Sequence, residues 1–79
     1  MMMVRSQNGS FVTFLENIQG TEIYEESGKS VRLVFEYIRG SKTMGYYRSF
    51  QVALKVLSMI QEEWINGSKN FNMPDDTEV

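Results

Sequence analysis

The chain has 79 residues, eight basic and ten acidic side chains for a net charge of −2, and 42% hydrophobic residues. That length supports one domain at most, and such a chain buries only about 60% of the surface of its unfolded form, so a second subunit or a partner adds stability. Having neither cysteine nor histidine, it lacks disulfides, thiolate metal sites, the commonest general base and the strongest nucleophile.

Met1-Met2-Met3-Val4 is too short for the apolar region of a signal peptide, and no run approaches the roughly 18 apolar residues of a membrane span. The sequence therefore reads as a soluble protein of a reducing cytoplasm, with no membrane contact. Asn8-Gly9, between apolar-polar segments at 4–7 and 10–15, predicts a hairpin with a two-residue type I′ turn. Both Asn-Gly-Ser sequons, at Asn8 and Asn66, are better read as a turn and a helix end than as glycosylation sites. Residues 21–26 form a short polar edge strand whose glutamates discourage edge pairing, followed by a Ser27-Gly28-Lys29 turn. The clearest strand is 31–38, where Val31, Leu33, Phe35 and Tyr37 alternate with Arg32, Val34, Glu36 and Ile38; apolar residues on both faces make it central. Gly40-Ser41-Lys42 turns into a further strand at 43–48.

Ser49 is a good N-cap, and Asn66-Gly67 supplies a left-handed helix end. Between them Phe50, Ala53, Leu54, Val56, Leu57, Ile60, Trp64 and Ile65 fill about half of a helical wheel, with Leu57 and Trp64 near its middle. Val52 and Met59, with Val56 at the border and Glu63 beside them, extend the arc past what one sheet covers. Val52, Val56, Met59 and Glu63 are thus the expected protein-contact surface, covered by a second copy or another protein. Past Gly67 the chain carries Pro74 and three acids without periodicity, so 68–79 reads as an acidic flexible tail unless Phe71 and Met73 dock. The predicted fold is α+β: one domain, 1–67, with a small antiparallel sheet of four to five strands and one C-terminal helix packed on one face. This division predicts that Leu57→Ala unfolds the chain, whereas deleting 68–79 leaves its melting curve nearly unchanged.

Three segments carry a resemblance. Arg5-Ser6-Gln7-Asn8-Gly9, then Met44-Gly45-Tyr46-Tyr47-Arg48-Ser49 ahead of the Ala53-Leu54-Lys55-Val56-Leu57 helix, and the ending Met73-Pro74-Asp75-Asp76-Thr77-Glu78-Val79 resemble small uncharacterised proteins of phages, prophages and other mobile elements of Gram-positive bacteria. Residues 18–38 are unmatched. That family is typically charged just inside the helix, where this chain has Phe50 and Val52, which makes the helix more adhesive. The resemblance implies a setting, the host cytoplasm, in which chains of this size often bind and block a host protein.

Catalysis is not indicated. Glu25-Glu26, Glu62-Glu63 and Asp75-Asp76 are neighbours that point apart on a strand or helix, so none is a ready acid and base pair. Asp75, Asp76 and Glu78 lack the glycine and terminal glutamate of a calcium loop. No glycine pattern forms a phosphate loop; Gly9, Gly20, Gly28, Gly40 and Gly45 read as turn formers. No cofactor or metal is expected. The middle of the chain is basic, +5 over residues 29–55 against −7 elsewhere. Arg39, Lys42 and Arg48 set among Tyr46 and Tyr47 suggest an alternative site for a nucleotide or single-stranded nucleic acid, where bases stack on tyrosines and phosphates meet cations. The favoured reading is a non-enzymatic interaction protein that binds, and inhibits, a host protein such as a defence component.

Overall fold

The computed structural model describes residues 1–26 and 30–79; the expected 27–29 turn lies outside them. The elements run β1 (Met3–Arg5), β2 (Val12–Phe14), a 3-10 turn (Leu15–Asn17), β3 (Gly20–Glu25), β4 (Val31–Tyr37), β5 (Gly40–Tyr47), α1 (Phe50–Ile65), β6 (Asn70–Asn72) and a final 3-10 turn (Asp76–Glu78). Among the described residues the class is α+β with one α-helix, but the sheet is not single. Two three-stranded sheets form, β2-β1-β6 and β3-β4-β5. β6 runs parallel to β1, pairing Val4 with Phe71. No described helix is long and apolar enough to cross a membrane.

β4 is central, as its two-sided apolar pattern requires, with antiparallel neighbours on both edges. A bulge opposite Leu33 and Val34 makes Met44 an extra residue on β5, and Met44 is buried in the core. Gly45 therefore stands within a strand and is not a turn former. At the first hairpin the register is the expected one, with Arg5 facing Val12, but the turn is not. Gly9 takes φ +78° while Asn8 keeps negative φ, and the Gly9 N–H donates to the Ser6 carbonyl at 2.9 Å. Asn8 acts through its side chain, whose Oδ1 accepts from Ser6 Oγ at 2.9 Å and from the Ser10 N–H at 3.0 Å.

The helix begins and ends at the expected residues. Ser49 Oγ accepts from the Val52 N–H at 3.2 Å. At the other end Gly67, at φ +81°, donates to the Trp64 carbonyl at 3.1 Å, and the Ser68 N–H reaches the Glu63 carbonyl at 3.0 Å, the Schellman arrangement.

One core joins all the layers. Val31, Leu33, Phe35, Met44 and Tyr47 meet Ala53, Val56 and Ile60 of α1, and Met2, Val4, Phe71 and Met73 close it from the other sheet. The expected flexible tail is thus a correction: Phe71 and Met73 are buried, the Met73 N–H donates to the Arg5 carbonyl at 3.0 Å, and the single domain continues through β6.

Candidate functional site

Docking of β6 turns α1 relative to the sequence expectation. The second sheet packs on the Val52, Val56 and Met59 side of the helix, so Val56 is fully buried and Val52 and Met59 are half-buried against the core. Val56 cannot be a contact residue, and Val52 offers little. The uncovered side is instead the one expected to face the sheet: Phe50, Leu54, Trp64 and Ile65 are 43, 42, 51 and 73% exposed. Periodicity fixes the width of an apolar arc but not which part of it meets a sheet, and the cover supplied by 70–73 carries no local signal.

Met59 and Glu63, the other two expected contact residues, remain at the surface. Together with Glu62 and Asn70, Phe71 and Asn72 they line a groove of about 310 Å³ between α1 and β6. Its floor is the half-buried Met59 and the edge of Phe71, and its rim is acidic. Glu63 Oε1 accepts from Ser68 Oγ at 2.7 Å, which ties the helix end to the start of β6. Lys69 accepts from Met3 and Met73 donates to Arg5 through their main chains. By the alternation of a strand, the main-chain groups of Asn70 and Asn72 therefore point away from β1, toward the outer edge. Among the described residues no strand pairs with that edge.

Of the residues of the alternative site, Lys42 and Tyr46 line one cleft of about 380 Å³ together with Phe11, while Arg39, Tyr47 and Arg48 lie apart from it. Arg39 sits in the tight turn between β4 and β5, and Arg48 just past the far end of β5, roughly 30 Å away along an extended chain. Lys42 Nζ lies 4.9 Å from the centroid of the Phe11 ring. Arg48 is turned to the end of the chain: its Nη1 reaches the Asp76 carbonyl and, at 3.0 Å, Asp76 Oδ1, while Nη2 donates to the Val79 carbonyl at 2.8 Å. Tyr47 points inward, is 1% exposed, and donates its hydroxyl to the Pro74 carbonyl at 2.8 Å. Burial, then the Asp76 and Asp75 carboxylates, push its pKa well above the ordinary tyrosine value. Tyr46 alone keeps an exposed ring.

A different aromatic and cationic row lies on the outer face of β3-β4-β5. Arg32 faces Tyr24 on one side and Tyr46 on the other, with its guanidinium carbon 5.0 Å from the Tyr24 ring centroid. Strand alternation already placed Arg32 opposite Val31 and Leu33; the cross-strand partners needed the register. Arg32 Nε donates to Glu26 Oε1 at 2.6 Å and Nη1 to Thr43 Oγ1 at 3.1 Å. Tyr24 donates to Glu36 Oε1 at 3.2 Å, which raises its pKa. Beneath this network Val34 is fully buried. The row thus shields an apolar residue, and its arginine is already matched by a carboxylate, leaving little for a phosphate.

Among the described residues no group of three acidic side chains is placed to hold a metal ion. Asp76 is engaged with Arg48, and Glu78 Oε1 accepts from the Asp75 N–H at 2.9 Å in a capping box. No family model, curated protein or solved structure matches this chain.

Proposed function

We propose that this chain is a non-enzymatic interaction protein of phage type that acts in the bacterial cytoplasm by holding an extended segment of a host protein, and so inhibiting it. The observation that carries the reading is the free outer edge of β6 lying beside Met59 and Glu63. An edge with unpaired N–H and C=O groups accepts a further strand, and adjacent side chains set which strand is taken. Here those side chains are an apolar pair, Met59 and Phe71, and two carboxylates, Glu62 and Glu63. The chemistry fits a segment that alternates apolar with basic residues. The resemblance of both chain ends and of the helix to phage proteins supplies the setting, and a host defence component is the target class that setting favours.

A peptide-display selection on the immobilised protein tests this. Sequences alternating apolar residues with lysine or arginine should be enriched, and enrichment should disappear with Asn72→Pro, which removes an outward N–H, and reverse in charge preference with Glu62→Lys and Glu63→Lys together. No enrichment, or enrichment indifferent to all three substitutions, overturns the groove as the site.

A further inference from the structure

We infer that two copies of this chain associate about a two-fold axis, with α1 lying antiparallel against α1 and β3 extending into β3 of the second copy. The surface is separate from the β6 groove. Phe50, Leu54, Leu57, Gln61 and Trp64 follow one another at intervals of four or three and make a single strip along a 16-residue helix. The strip lies on the β3 side: α1 touches β3 and Phe50 lines a surface cleft with Glu25 and Glu26, whereas Met59 and Glu63 face β6.

The strip is self-complementary. Phe50 and Trp64 are each seven residues from Leu57, so an antiparallel copy centred on Leu57 sets Phe50 against Trp64 twice and Leu57 against itself. An isologous interface has this symmetry.

The neighbouring strand edge admits a two-fold pairing as well. The Glu26 N–H donates to the Ser30 carbonyl at 3.1 Å, which sets the bonded residues of β3 as the even-numbered ones. Thr21, Ile23 and Glu25 therefore present their main chains outward, and among the described residues no strand pairs with them. Antiparallel pairing centred on Ile23 sets Thr21 opposite Glu25 and Glu22 opposite Tyr24, so no two glutamates stand directly opposite. The glutamates that discourage an indiscriminate partner thus permit this one register. An apolar strip and a free edge on one side, both two-fold symmetric, point to a second copy.

The chain has no cysteine, so Leu57→Cys gives a clean probe. Under mild oxidation it should form an interchain disulfide efficiently, whereas Met59→Cys should not. By light scattering the native chain should have the mass of two copies at tens of micromolar. Leu54→Glu with Trp64→Glu should give a monomer with an unchanged far-ultraviolet spectrum, because both side chains are exposed in the single copy. A monomer at hundreds of micromolar, or a dimer that survives the strip substitutions or cross-links through Met59→Cys instead, overturns the inference. Peptide selection on the β6 groove is read separately, so either result can fail without the other.

Discussion

The ring of Tyr47 lies against Gly45 so closely that a methyl group at Gly45 would stand 3.0 Å from both its Cε2 and its hydroxyl oxygen, and 3.2 Å from Gln7 Cβ. The glycine is present for space and not for a turn. Gly45→Ala should displace the ring and weaken its bond to Pro74, costing about 1–3 kcal/mol as overpacking of a filled interior does. Denaturant unfolding measures the loss, and a changed near-ultraviolet spectrum should accompany it. An unchanged midpoint would mean the ring has room to move.

Tyr47 also makes stability depend on alkaline pH. Its folded-state pKa is raised above the ordinary value of about 10, so the folded chain holds this proton more tightly than the unfolded chain does. The stabilisation is complete below the unfolded pKa and falls as pH rises through and beyond it. Thermal midpoints of the native chain should drop above about pH 10, more steeply than those of Tyr47→Phe. That variant should itself lose about 1–2 kcal/mol at neutral pH, because the Pro74 carbonyl is left without its donor. Parallel pH curves for the two proteins would remove Tyr47 as the cause.

What was legible in the sequence was local. Ser49 and Gly67 bound the helix because capping is decided by the residues at the ends themselves, and the alternation over 31–38 places β4 in the middle of its sheet, although the strand ends at Tyr37 and Ile38 is exposed. The β1–β2 register was legible, but Asn8 uses its side chain where positive φ was expected. β6 was not legible: Phe71 between two asparagines has no period, and its pairing with Val4 spans nearly the whole chain. That one omission propagated to the site. With β6 left out, the Val52, Val56 and Met59 side of α1 looked bare, and the strip through Phe50, Leu54 and Trp64 looked covered. Met59 and Glu63 are partly exposed beside an edge of β6 that no local pattern in the sequence announces.

Arg48 gathers the last residues: its guanidinium reaches the Asp76 carbonyl, Asp76 Oδ1 and the Val79 carbonyl, and its main-chain N–H also donates to Asp76 Oδ1 at 3.0 Å. The ion pair is half-exposed, and such pairs contribute about 0.2–1 kcal/mol. Arg48→Ala should therefore shift the melting midpoint by only a few degrees. Its visible effect should be local: amide hydrogens of 75–79 should exchange faster, while those of β4 and α1 keep their protection. Loss of protection across the whole chain would show that Arg48 stabilises more than the final turn.

The division of the chain at Gly67 can be tested by reversing the order of damage it implies. Deleting 68–79 removes β6, two buried core side chains and the acceptor for Tyr47, while also uncovering Met2, Val4 and Val56. Phe71→Ala alone should cost about 3–5 kcal/mol, close to the whole stability of about 3–5 kcal/mol that a core this small supplies. The deletion should thus abolish cooperative unfolding. Leu57 is only half-buried at the border of the core, so Leu57→Ala removes part of one side chain's burial and should cost about 1–2 kcal/mol, leaving a folded chain. Thermal unfolding of the three variants, at a concentration low enough to keep copies apart, gives the order directly. If the deletion variant melts cooperatively near the native midpoint while Leu57→Ala does not, then β6 adds nothing to the core and the helix packs by the face bearing Leu57 and Trp64.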